Sequence, residues 1–186
     1  WLYSDVTDDV GSDGTYSSFL YAQKAQEIIS AHNSSEPLFM VLSTQNAHIP
    51  LNVPDEHEAY KTAEVEPLLT TLETDRRMVF AKSMVMLDLM VNNIVSSLKS
   101  AGLWDNTILV FTSDNGACSS TGGSNLPYRG MKNTMYEGGT RVPTFITSPL
   151  FDGHQRQEYR GMFHVTDWLP TLLHAVTGSH EDDIDD

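Results

Sequence analysis

The stretch that decides the fold is Phe111–Gly116 (FTSDNG), which ends an apolar run that starts at Ile108. An apolar run that stops at a carboxylate, an amide and a glycine is typical of a buried strand that delivers polar side chains into a cleft of an α/β protein. Asp114 and Asn115 offer hard oxygen atoms, which suit Ca²⁺ or Mg²⁺ better than zinc. The alternative interpretation is an ordinary turn after a strand, because Asp, Asn and Gly all favour turns.

Hydrophobic periodicity around this stretch predicts alternating helices and strands. This alternation is typical of an α/β fold, which has a mainly parallel sheet flanked by helices on both faces. The long helix is expected to bury Phe80, Met84, Leu87, Val91, Ile94 and Leu98. The predicted elements are a helix from Ser17 or Ser18 to about His32, a strand Pro37–Ser43, a long helix Thr74–Ala101, strands Thr107–Ser113 and Val142–Thr147, and a short helix Asp167–Val176.

Composition limits the classes of function. The 186 residues are 40% hydrophobic and 19% charged, which fits one globular domain or a large part of one. No apolar run approaches the roughly 20 residues that span a bilayer, so we predict no membrane insertion. The net charge of −14 repels phosphates and anionic lipids, so nucleic acid is not an expected partner. Cys118 is the single cysteine and has no internal disulfide partner.

The two ends of the chain differ from its body. Residues 1–14 read as an acidic loop and residues 179–186 as an acidic tail, which leaves 15–178 as the folded part. The polar start is unlike a signal peptide. The chain does not begin with Met, so we expect a fragment or a processed product. Asn33 begins an Asn-Ser-Ser glycosylation sequon, which would matter in a secreted protein.

Two further residues are candidates for chemistry. His48 closes the segment Gln45–His48, which follows a predicted strand and should share an edge with Asp114. An imidazole there can donate to an anion and act as a general acid or base near neutral pH. Lys132 follows a loop rich in Gly and Ser and would offer one compact positive charge to an oxyanion. The alternative for both is a solvated surface side chain.

Six segments, in this order, resemble the type I sulfatases of the alkaline phosphatase superfamily, most of all the arylsulfatase B group. A single short match would be weak, but six ordered matches that cover nearly all of residues 15–178 are a strong signal. The matching segments are Gln45–Pro50, Ser100–Trp104, Thr112–Gly116, Arg129–Lys132, Glu137–Pro143 and Thr166–Leu172.

The resemblance implies a sulfatase-like fold and a Ca²⁺-dependent sulfatase, acting on sulfated sugars or aryl sulfates in a lysosome or outside the cell. It implies that Asp114 and Asn115 are two ligands of the active-site Ca²⁺. It further implies that His48 and Lys132 bind the sulfate group, with His48 assisting proton transfer to the leaving alcohol. Arg141 and Glu137 are expected to support the site from outside the ligand shell.

One departure from the family pattern is informative. Sulfatases use a cysteine of a C-x-P-S-R type motif, converted to formylglycine, as the nucleophile, and this sequence has no such motif. Cys118 lacks the neighbouring Pro and Arg and is not a substitute. The family's paired aspartates and an upstream Lys and His are also missing. We therefore interpret the chain as the middle and later part of a catalytic domain, incomplete at both ends and inactive alone.

Two alternatives remain for the function of the parent protein. One is a sulfatase-like protein that has lost its nucleophile and binds without catalysis, which the upstream sequence would distinguish. The other is a phosphatase or phosphodiesterase of the same superfamily. The second fits less well, because those enzymes usually build a two-metal site with additional Asp and His ligands. His48, His164 and His174 are too scattered to supply it.

Overall fold

A computed structural model describes residues 14–151 and 157–178. The chain divides into two compact units, Trp1–Phe151 and Asp152–Asp186, and each is described here by itself. The predicted acidic loop, apart from Gly14, and the predicted acidic tail lie outside the described residues. In chain order the first unit contains the elements α1 (Ser17–Ala31), α2 (Glu66–Thr70), α3 (Asp75–Ser100), β1 (Leu109–Thr112), α4 (Glu137–Thr140) and β2 (Thr144–Thr147).

The long helix α3 confirms the prediction made from its periodicity. It begins after Thr74, whose side chain accepts a hydrogen bond from the backbone N–H of Arg77, an N-cap. It ends just before Gly102, which adopts the left-handed conformation (φ +69°) that glycine tolerates best. α3 is long and apolar enough to cross a membrane. The core helix of a globular protein can have the same length and composition, so this is weak evidence for a membrane span.

Helices α1 and α3 pack against each other and form the main core. Burying apolar side chains from both helices removes them from water and supplies the main driving force for this pairing. The buried residues of this cluster are Ala22, Ala25, Ile29, Leu87, Met90, Ile94 and Leu98.

The buried stripe of α3 differs from the predicted one. Met84 is 41% exposed, whereas Ser83, Met86 and Met90 are buried. The reason is that α3 is covered on more than one side: α1 lies along its second half, and a second cluster joins Met86 to Tyr60 and Leu69. The apolar repeat in the sequence of α3 could not show that α1 and the Tyr60–Leu69 cluster cover different sides of this helix.

The predicted strand Pro37–Ser43 is wrong, because this segment pairs with no described strand. It nevertheless alternates like a strand. Met40 and Leu42 pack against the main core, whereas Phe39 and Val41 are 80% and 73% exposed. Successive side chains of an extended chain point to opposite sides, so only one face of the segment finds apolar partners among the described residues.

The prediction of a mainly parallel sheet flanked on both faces is not confirmed. The described residues contain one two-stranded sheet, in which β1 and β2 run antiparallel. Phe111 stacks on Phe145 with ring centroids 5.2 Å apart, a favourable cross-strand pair. Loops and the short helix α4 connect the two strands, and β2 runs back along β1.

The second unit contains the helix α5 (Trp168–Thr177), which confirms the predicted short helix to within one residue. A 3₁₀ turn, Val165–Asp167, precedes it. Asp167 is the N-cap residue of α5, but its carboxylate makes no capping hydrogen bond to that helix and instead accepts one from the backbone N–H of His164 at 2.7 Å. Phe163 packs edge-on against Trp168, with ring centroids 4.6 Å apart.

Candidate active site

The loop after β1 carries the two predicted metal ligands. Asp114 Oδ1 accepts hydrogen bonds from the backbone N–H and the side-chain Nδ2 of Asn115, both at 2.8 Å. Within the described part of the chain, Asp114 Oδ2 and Asn115 Oδ1 accept no hydrogen bond, and Asp114 is exposed. The structure therefore leaves two hard oxygen atoms open at the end of a strand.

Backbone contacts fix this loop against the segment that leads into β2. The N–H of Ser113 donates to the carbonyl of Pro143 at 3.2 Å, and the N–H of Gly116 donates to the carbonyl of Gly139 at 2.9 Å. A Cβ atom on Gly116 would overlap the carbonyl oxygen of Gly138. Glycine is required here because two backbone segments approach each other more closely than any side chain allows.

Asn125 joins this loop to the segment that carries Lys132. Its Oδ1 accepts from the backbone N–H of Ala117 at 2.7 Å, and its Nδ2 donates to the carbonyls of Ala117 at 2.8 Å and Gly130 at 3.3 Å. The backbone N–H of Lys132 also donates to Ala117, at 3.3 Å. The lysine is thus attached to a residue three positions after Asp114.

His48 and Lys132 meet although they are 84 residues apart in sequence: Lys132 Nζ lies 3.2 Å from His48 Nε2. His48 Nδ1 lies 2.8 Å from its neighbour's carbonyl, that of Ile49. A carbonyl only accepts, so the Nδ1 atom carries the proton and the Nε2 lone pair faces the ammonium group. His48 is exposed and Lys132 partly exposed, so an incoming anion can reach both.

Glu137 and Arg141 lie one turn apart and form an ion pair, with Oε2 and Nη1 3.5 Å apart. The guanidinium of Arg141 also lies over the ring of Tyr128, 4.7 Å from its centroid. These contacts join α4 to the loop before Lys132. The supporting role of Glu137 and Arg141 stays a prediction, and this geometry is in its favour.

The described residues fit part of a Ca²⁺ shell. No group of three or more His, Cys, Asp or Glu side chains comes together in the described ranges. Asp114 and Asn115 supply oxygen atoms, which is the donor type that Ca²⁺ prefers, but the ion takes about six to eight of them. These two residues could hold one side of the ion, and the remaining ligands would come from elsewhere.

Cys118 lies in the loop that follows Asp114 and Asn115, and its exclusion as the nucleophile stays a prediction. Its Sγ is 3.1 Å from Ser120 Oγ. Hydrogen bonds from the hydroxyl and the backbone N–H of Ser120 lower the pKa of the thiol below its ordinary value, and the positive charge of Lys132 adds to this effect. The thiol therefore loses its proton at a lower pH than the thiol of an isolated cysteine.

The sequon residue Asn33 lies in an exposed turn after α1. Its Oδ1 accepts from the backbone N–H and the hydroxyl of Ser35, at 3.1 and 2.9 Å. The position is accessible, as a glycosylation site must be. Its glycosylation stays a prediction.

The sequence reasoning missed the polar residues that hold the site together. The sequence predicts that α1 starts at Ser17 or Ser18, and the structure places the N-cap at Tyr16; Ser18 Oγ donates to Asn46 Oδ1 at 2.6 Å, a contact that was not predicted. Ser83 and Asn125 were not singled out. A serine at a buried position of α3 is a signal that could have indicated a polar partner, because buried hydroxyls are nearly always hydrogen-bonded.

The family model described as Sulfatase matches residues 2–179. The sequence is 35% identical over 173 residues to arylsulfatase J of Mus musculus, covering 92% of this chain and 27% of that protein. It is 33% identical over 161 residues to N-acetylgalactosamine-6-O-sulfatase of Bacteroides thetaiotaomicron, covering 80% of this chain and 26% of that protein. The fold is similar to the crystal structure of Ps i-CgsB in complex with k-i-k-neocarrahexaose, with a TM-score of 0.76 and 27% identity over 91% of this chain and 36% of that one.

The chain belongs to the sulfatase family. This confirms the resemblance to the type I sulfatases and places the fold in the alkaline phosphatase-like α/β class. The chain spans about a quarter of the length of the curated relatives it matches.

Proposed function

We propose that this chain forms part of a longer protein that hydrolyses sulfate esters. The observation that carries the proposal is the contact between His48 and Lys132, which the resemblance assigns to sulfate binding and which the fold brings together across 84 residues. The neighbouring loop holds Asp114 and Asn115 with two open oxygen atoms. Family membership supports the same chemistry.

The two side chains can change from partners of each other to partners of an anion. Lys132 now donates toward the Nε2 lone pair of His48. When a sulfate monoester arrives, its oxygen atoms compete for the ammonium group, and a proton that the exposed Nε2 takes up from solvent turns His48 into a second donor. Both groups then stabilise the negative charge of the sulfate.

The same proton can serve the leaving group. Cleavage of the S–O bond leaves an alkoxide, and the protonated Nε2 of His48 can give its proton to that oxygen, which releases a neutral alcohol. Asp114 and Asn115 would hold part of the Ca²⁺, which supplies charge stabilisation for sulfate oxygen atoms when bound. The nucleophile would be the family's formylglycine, supplied by a segment of the longer protein.

We propose a sulfated sugar as the substrate class. The relative from Bacteroides thetaiotaomicron is named for a sulfated amino sugar, and the structural relative was solved with an oligosaccharide. The acidic surface, with a net charge of −14, favours a small or terminal sulfated unit over a long polyanion. A lysosomal or secreted location remains a prediction of the family resemblance and the Asn33 sequon.

The first test is to sequence the transcript upstream of the codon for Trp1 and to assay the longer protein. Paired aspartates followed by C-x-P-S-R, with release of sulfate from a 6-sulfated N-acetylgalactosamine or an aryl sulfate, would support the proposal. Phosphate ester cleavage alone would indicate a phosphatase. Absence of the cysteine motif, with sulfated sugar bound but not cleaved, would indicate a binding protein. The isolated 186-residue chain should show no turnover.

A further inference from the structure

The side-chain amide of Asn46, which lies in a loop, makes hydrogen bonds with residues of both long helices and with Tyr16. Its Oδ1 accepts from Ser18 Oγ at 2.6 Å. Its Nδ2 lies within donor distance of Tyr16 Oη at 2.9 Å, the carbonyl of Ser83 at 3.0 Å and Ser83 Oγ at 3.2 Å. The amide therefore uses its acceptor and both its donor hydrogens on partners that are 28 to 37 residues away in sequence.

These partners belong to the helical core. Ser18 lies in the first turn of α1 and Ser83 in α3, and the two serines are only 1% and 3% exposed. Hydrogen bonds that are shielded from water are stronger, and leaving one partner unsatisfied there costs more than at the surface. The position of Asn46 is thus fixed by the same pair of helices that forms the main core.

The anchored residue shares a tight turn with His48. The backbone N–H of His48 donates to the carbonyl of Gln45 at 2.8 Å, so the two central residues of the turn are Asn46 and Ala47. Within the described ranges, the only polar contacts of the His48 ring are with Ile49 and Lys132. The position of the exposed His48 ring is therefore determined largely by the Gln45–His48 turn.

We propose that Asn46 is a positioning residue, which orients His48 toward Lys132 by anchoring their shared turn to α1 and α3. The catalytic consequence rests on the proposed function, whereas the orientation of His48 does not. Loss of the anchor lets the turn move, and Nε2 then leaves the reach of Lys132. Misplacement of a reacting group by about 1 Å can reduce turnover roughly a hundredfold.

The test compares Asn46→Ala with Asn52→Ala in protein labelled with ¹⁵N at histidine. Asn52 lies four residues after His48, is exposed and makes no side-chain hydrogen bond with the described residues, so it is a matched control. In the unchanged protein, the ring shifts should report a proton on Nδ1 and an Nε2 atom in contact with the Lys132 ammonium group. Asn46→Ala should shift the Nε2 signal, because Nε2 leaves the reach of Lys132, whereas Asn52→Ala should leave that signal in place.

A second variant and an activity readout keep the result decisive. If Asn46→Ala does not fold, Ser18→Ala removes only the 2.6 Å bond and should shift the His48 signals in the same direction. Where the longer protein turns over a sulfate ester, Asn46→Ala should lower kcat/KM at least about tenfold. Unchanged His48 shifts in the folded variants, whatever the melting temperature, would overturn the proposal. A change of the His48 shifts in Asn46→Ala, together with a longer protein that hydrolyses no sulfate ester, would uphold the proposal and count against the proposed function alone.

Discussion

Lys132 Nζ lies 3.2 Å from His48 Nε2, although the two residues are 84 positions apart in the sequence. Lys132 lies in the segment that Asn125 holds by hydrogen bonds to Ala117 and Gly130. His48 lies in the turn that Asn46 holds by hydrogen bonds to α1 and α3. Two side chains held by separate anchors are already positioned, so an anion that replaces His48 as the partner of the Lys132 ammonium group finds both residues in place.

Replacing Lys132 with alanine should weaken sulfate ester hydrolysis by the longer protein. A hydrogen bond that involves a charged group contributes about 1.5–3 kcal/mol, so kcat/KM should fall by roughly 10- to 100-fold. The measurement is the initial rate of sulfate release against substrate concentration. Lys24→Ala removes a similar charge from an exposed pair with Glu27 and should leave kcat/KM within about twofold. Equal rates for both variants would contradict the role of Lys132.

Asn125→Ala should destabilise the loops around the site. The change leaves the backbone N–H of Ala117 without its partner and the carbonyl of Ala117 with only the Lys132 N–H, and an unsatisfied buried group costs about 1–3 kcal/mol. Because these groups are only partly buried, we expect a loss of about 2 kcal/mol in the free energy of unfolding, measured in urea. Asn106→Ala, at an exposed position, should cost less than about 0.5 kcal/mol. An equal effect of the two changes would argue against a stabilising role of the Asn125 hydrogen bonds.

Gly116→Ala tests the close approach of the two backbone segments. The new methyl group would collide with the carbonyl of Gly138, and backbone atoms cannot yield as a flexible side chain can. We expect a loss of about 3 kcal/mol or more in thermal or urea unfolding. Gly102→Ala is the comparison, since its methyl group would meet no atom within 4 Å and would incur only the cost of φ +69°, about 1–2 kcal/mol. A smaller effect at Gly116 than at Gly102 would contradict this packing.

Local patterns were sufficient to predict α1, α3 and α5, whereas the short helices α2 and α4 were not predicted. The steps of three and four along α3, the cap at Thr74 and the stop at Gly102 are short-range features. The segment Pro37–Ser43 shows the limit, because whether an apolar extended segment pairs in a sheet depends on partners that are distant in sequence. For the same reason the sequence could not reveal that β1 pairs antiparallel with β2.

The candidate site divides in the same way. His48, Lys132, Asp114 and Asn115 could be chosen from their residue types and the family resemblance, and the structure brings the first two into contact. The anchors Asn46 and Asn125 act through hydrogen bonds between a side-chain amide and remote groups. Such contacts do not recur at a fixed spacing in the sequence, so the residues that hold the site could be identified only from the three-dimensional structure.

Cys118 gives a prediction that depends on pH and not on turnover. Its pKa lies below the ordinary value, first because the Ser120 hydroxyl and backbone N–H donate to the thiolate, and further because Lys132 is positively charged. A lower pKa leaves more thiolate at a given pH, so the rate of alkylation by iodoacetamide should reach half its plateau at a lower pH than for a free cysteine. Ser120→Ala removes the hydroxyl contribution and should move this midpoint upward. Ser119→Ala is the matched control, since the Ser119 hydroxyl contacts Met131 and not the thiol, and should leave the midpoint in place. A midpoint at or above that of a free cysteine would show that Ser120 does not stabilise the thiolate.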